Sequence, residues 1–77
     1  MKIVRVEWVD SRSVSPEWHD ADDFPAEELM TLESVGFLAH EDKKRIILVS
    51  SHDTHMNNYS GGMIIPKSAI VKRRLIH

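Results

Sequence analysis

Cysteine is absent from this 77-residue chain, so no disulfide can staple it and no thiol can act as nucleophile or soft metal ligand. Long apolar runs are absent as well. The longest aliphatic stretch, Ile46-Ile47-Leu48-Val49, falls far short of the ~18 residues a membrane-crossing helix needs. Met1-Lys2 leads directly into a strand-like segment, without the apolar region of a secretory signal, so the expected setting is a reducing cytoplasm. No serine stands in a strand-to-helix elbow, and Ser60-Gly61-Gly62 has neither the spacing nor the Lys-Ser/Thr of a phosphate cradle. These absences argue against an enzyme and leave no cofactor to expect. A chain this short is read as one domain, residues 1–77, near the size at which a single core becomes marginal and self-association becomes useful.

What is present is mostly strand signal. Ile3 to Val9 alternates, with Val4, Val6 and Trp8 on one face and Arg5 and Glu7 on the other, which is the period of a half-buried strand. Asp22 or Asp23 can cap a short acidic helix from Pro25, with Leu29, Met30 and Leu32 on its apolar side. Val35 to Glu41 returns to extended structure, Asp42-Lys43 forms a hairpin tip, and Arg45 to Ser51 is the partner strand. Residues 52–62 read as a turn-rich irregular connection, since Asn57-Asn58 and Gly61-Gly62 accept positive φ. Met63-Ile64-Ile65 is then a strand that Pro66 ends, because proline brings no N–H to a ladder. Pro66-Lys67-Ser68-Ala69 suggests a 3₁₀ turn before a last strand, Ile70 to Leu75. The expected fold is mainly β with one short helix: a small SH3-like or Sm-like barrel of about five strands, the helix covering one opening. Val4, Val6, Trp8, Phe37, Ile47 and Ile65 are expected to share its interior.

Charge is polarised along the chain. Residues 1–42 hold eleven acidic against three basic side chains, and residues 43–77 hold seven basic against Asp53 alone. Opposed halves of this kind favour pairing within the fold, or contacts with a second subunit or a partner. The basic residues Lys67, Lys72, Arg73 and Arg74 could contact phosphate, or pair with Glu27, Glu28 or Glu33. Trp18, in a polar loop, either plugs a barrel opening or anchors a partner; the plug is the favoured expectation. Tyr59 either tethers its loop or stacks on a ligand. His52, Asp53 and His55 are the candidate metal ligands, with His19, Asp20, Asp22 and Asp23 as completing donors if the two loops meet. His40 reads as a surface residue.

Several of these segments resemble a group of small, largely uncharacterised phage and prophage proteins. The similarity lies in Val6-Glu7-Trp8-Val9-Asp10-Ser11, in Trp18 followed by a short acidic helix, in Val35-Gly36-Phe37-Leu38 with the acidic turn and aliphatic strand after it, and in Ile65-Pro66-Lys67-Ser68-Ala69-Ile70. The resemblance implies an accessory protein acting in the cytoplasm of an infected bacterium, and it assigns no active site. The leading expectation is a non-enzymatic binding module, self-associating, that recognises a host or phage protein or a small ligand. A nucleic-acid-binding barrel using Tyr59 and the basic last strand is the alternative, followed by a metal-binding protein or hydrolase using the loop histidines; no membrane partner is expected.

Overall fold

The computed structural model describes residues 1–11, 16–18, 20–22 and 29–77. Five strands form one antiparallel sheet: β1 (Ile3–Asp10), β2 (Met30–Glu41), β3 (Arg45–Asp53), β4 (Asn58–Pro66) and β5 (Ile70–Leu75). Their spatial order is β4-β3-β2-β1-β5, a meander whose first strand takes the fifth as its other neighbour. A 3₁₀ turn, Lys67–Ala69, joins β4 to β5. Pro66 sits at φ −63° with extended ψ, which ends the ladder and starts this turn as its fixed ring predicts. The sheet is open, and no ladder joins its edges β4 and β5.

Antiparallel partners share a face, so register identifies the core. Val4 stands opposite Gly36, Val6 opposite Ser34 and Trp8 opposite Leu32. Val4, Val6, Trp8, Ile46, Leu48 and Ile65 form the buried cluster, and Leu32, Leu38, Ala69 and Ile70 pack against it. The six residues expected inside therefore divide. Val4, Val6, Trp8 and Ile65 are in the core, whereas Phe37 and Ile47 are half-buried on the reverse face. Phe37 lies there in a row with Ile3 and Val49.

Phe37 is off the core face because it pairs with Ile3 and Val49, the neighbours of core Val4 and Leu48. Ile47 is off it because it alternates with core Ile46 and Leu48. A register shift changes the faces beyond Leu38. Leu38 pairs with Leu48 but His40 pairs with Ile47, so Ala39 is an extra residue that reverses the alternation. Leu38 thus faces the core and His40 does not, although sequence parity puts them on one side. The same shift turns Glu41 onto the core face, opposite Ile46.

Two further expectations are corrected. Met30 and Leu32, expected on a helix, belong to β2, where Thr31 and Val35 continue a β-branched, period-two pattern. The proposed helix start at residues 23–28 lies outside the described residues, among which there is no α-helix. Residues 52–62, expected to be irregular, are mostly a hairpin: β3 runs to Asp53 and β4 starts at Asn58. Asn57, at φ 53°, supplies the left-handed turn residue that Asn tolerates.

Candidate functional site

The two halves of the sheet diverge beyond one point. The β2–β3 ladder stops at Phe37 opposite Val49, while β1–β2 pairing continues from Phe37 to Met30 and β3–β4 pairing continues to Asp53. The strands pack closely at the base of this fork. A Cβ on Gly36 would stand 2.9 Å from the Val49 carbonyl oxygen, and one on Gly62 would stand 2.9 Å from the Leu48 carbonyl oxygen. Val49 is buried because β2 and β4 approach it at these two glycines.

The fork opens into a cleft of about 300 Å³ lined by Ser34, Val35, Leu48, Val49, Ser50, Gly61, Gly62 and Met63. At one wall the Trp8 indole N–H donates to Ser34 Oγ at 2.9 Å, and the Ser34 hydroxyl points to Met63 Sδ at 3.5 Å. On the other wall Ser50 Oγ donates to the carbonyl oxygens of Ser60 and Gly61, at 3.1 and 3.4 Å. Gly61 is at φ 62°, a left-handed conformation that favours glycine, and an added Cβ would collide with Ser50 Oγ. The cleft is apolar at its base and hydroxyl-lined at its sides, with β2 and β3 backbone left without a mutual ladder along it. None of its residues was among the sequence candidates. The readable signal was the run of small residues, Ser34 and Gly36 in β2, Ser50 in β3 and Gly61-Gly62 in β4.

The opposite end of the sheet is held by charge. Lys67 Nζ lies 2.8 Å from Glu41, and Arg73 donates to both Glu41 carboxylate oxygens at 2.8 Å each. The Arg73 and then the Lys67 hydrogen bonds lower the Glu41 pKa to about 2. The backbone joins in, since Lys67 N–H donates to the Lys44 carbonyl at 2.8 Å. Side chains and one backbone hydrogen bond, rather than a ladder, therefore tie β5 and the 3₁₀ turn to the β2–β3 tip. That tip is itself capped. Asp42 accepts the N–H groups of Lys44 and Arg45 at 2.9 and 3.1 Å and lies 2.9 Å from His40 Nε2. The His40 hydrogen bond first, then that of the Lys44 N–H, hold the Asp42 carboxyl well below the usual carboxylate range.

The expected site residues are dispersed by this geometry. Lys67 and Arg73 are committed to Glu41, which the sequence reading missed; Glu33 pairs with Arg5 instead, and Glu27 and Glu28 lie outside the described residues. Lys72 and Arg74 project from β5 on the other face, opposite Glu7 and Arg5. Tyr59 is on β4, the opposite edge strand of the sheet from that basic strand. Its ring stacks on His52 with centroids 4.8 Å apart.

Nor does the structure gather the suggested metal ligands. His52 Nε2 is 3.1 Å from Asn57 Oδ1, and Asp53 accepts the N–H groups of His55 and Met56 as a turn cap. No cluster of three His, Cys, Asp or Glu suited to a metal occurs among the described residues. His19 and Asp23 lie outside them. Trp18 is wholly exposed, at 102% of its reference area, so it does not plug an opening. The described residues around it, 16–17 and 20–22, are exposed too. Comparison with family models, curated proteins and solved structures gives no match to this chain.

Proposed function

We propose that this protein is a non-enzymatic, self-associating binding module of the SH3-like barrel type, which takes an extended apolar segment of a partner protein into the cleft between β2 and β3. The cleft carries this reading. It offers apolar surface for alternate side chains and strand backbone on two sides, the combination by which sheets recognise extended peptides. The strand order, the 3₁₀ turn before β5 and the Glu41 tie across one end support the barrel. The sequence resemblance supports an accessory role for a phage inside its bacterial host, with a host or phage protein as the partner. Trp18, fully exposed, is available to that partner as an aromatic anchor.

Amide-resolved NMR titration with a panel of extended peptides carrying alternating apolar residues tests the reading. Shifts should gather on Ser34, Ser50, Gly61, Gly62 and Met63, and Val35→Lys, which sets a charge at the cleft mouth, should weaken binding about tenfold or more, ~1.4 kcal/mol. Silence at millimolar peptide, or shifts confined to β5, would remove it.

A further inference from the structure

The two edges of the sheet are chemically unlike. β5 carries Lys72, Arg73 and Arg74 in six residues, whereas β4, Asn-Tyr-Ser-Gly-Gly-Met-Ile-Ile-Pro, has no charged residue in nine. An edge strand presents unpaired N–H and C=O groups, and charged side chains are the usual device that keeps such an edge from pairing with another chain. β5 has that guard. β4 does not, and it leaves Met63 at 41% and Ile64 at 62% exposure, one on each face of the sheet. The left-handed Gly61 on one side and Pro66 on the other bound its pairable segment to Gly62–Ile65.

From this contrast we infer that β4 pairs antiparallel with β4 of a second copy about a two-fold axis perpendicular to the sheet. The inference rests on the self-association in the reading above and assigns it a surface. Charge selects this arrangement over the others. Joining β5 to β5 would bring Lys72 and Arg74 of the two copies together on one face, and like charges across a ladder repel. Joining β4 to β5 would set Lys72 and Arg74, which have no ion pair among the described residues, beside an uncharged apolar strand. It would also be head-to-tail and would not close as a pair. Joining β4 to β4 opposes no charge, satisfies the free backbone of both copies, and gives Met63 and Ile64 apolar neighbours across the seam, directly or diagonally. Two five-stranded sheets then become one continuous ten-stranded sheet, with the two clefts flanking its centre.

Sedimentation and light scattering of the full chain at 10–300 μM, with circular dichroism as the fold control, form the test. The wild type should show twice the chain mass; Ile64→Lys should be monomeric with an unchanged spectrum, and Val71→Lys on β5 should remain dimeric. A dimeric Ile64→Lys protein, or dissociation by Val71→Lys, overturns the β4 interface and leaves self-association standing. A wild type that is monomeric throughout overturns both. Because the chain lacks cysteine, single introduced thiols read the same surface independently. Under mild oxidation Met63→Cys or Ile64→Cys should give disulfide-linked dimers at least tenfold faster than Val71→Cys, and equal rates would overturn the proposal.

Discussion

Gly36 shows how a single missing methyl shapes this sheet. Its position on β2 faces the core beside Val4, and an added Cβ would stand 2.9 Å from a backbone oxygen and 3.3 Å from Leu48 Cβ. Backbone cannot move aside as a side-chain tip can, so β2 would have to retreat from β3. Gly36→Ala should therefore destabilise by about 1–3 kcal/mol, the usual cost of overpacking; urea denaturation with an unchanged midpoint would contradict the tight crossing. Trp8 illustrates the complementary case. It buries a large ring and still satisfies its N–H through Ser34, so β1 and β2 are joined by a side-chain hydrogen bond as well as a ladder. Both residues were visible as sequence features. Only the pairing Val4 with Gly36 and Val6 with Ser34 shows why a small residue stands at each of those β2 positions.

At the scale of elements, the β3–β4 hairpin depends on Asn57. A β-branched residue is poorly suited to φ 53°, so Asn57→Val should lower stability by about 1–2 kcal/mol. Asn57→Gly should stay within about 0.5 kcal/mol, since glycine adopts this φ freely and only the exposed His52 contact is lost. Thermal melts of the two variants check this, and equal losses would argue against a backbone origin. The strands themselves were largely legible. Alternation in Ile3–Val9, the Asp42 tip and the proline stop at Pro66 are local signals, set by pleat geometry and by the chemistry of one or two residues. The β2 boundary was not. Leu29, Met30 and Leu32 have spacing that fits a helix as well as a strand, and Met30 and Leu32 are strand because β1 offers them Asp10 and Trp8 as partners. The Ala39 bulge was equally hidden, because an extra residue exists only relative to the strand opposite.

Across the whole molecule, the polarised charge of the sequence resolves into specific contacts. Glu41, from the acidic half, meets Lys67 and Arg73 from the basic half and holds one end of the sheet. Its folded pKa of about 2 is depressed below the ordinary glutamate value of ~4.3. Its stabilisation is thus fully present above that ordinary value and is lost as pH falls toward 2. Asp42 shifts in the same direction and adds to the loss. Wild-type stability should fall across that acidic interval, and Glu41→Gln should be less stable at neutral pH with a shallower acid decline. Since these groups are at the surface, 0.5 M salt should narrow the gap between the two proteins. Chemical denaturation at pH 2.5, 4 and 7 reads all three, and parallel pH profiles would show that the Glu41 cluster does not hold the sheet end.

The mainly β character, most strand positions, the two turns around Asp42 and Pro66, and four of the six expected interior residues were legible in the chain alone, since each depends on the pleat or on a residue's own φ. Tertiary structure decided the rest: that Leu38 and Glu41 face inward while Phe37 does not, that Lys67 and Arg73 are spent on Glu41, and that β2 and β3 part to leave a cleft. Those outcomes depend on which residue stands opposite which, and cross-strand register is a relation between distant segments that no local pattern contains.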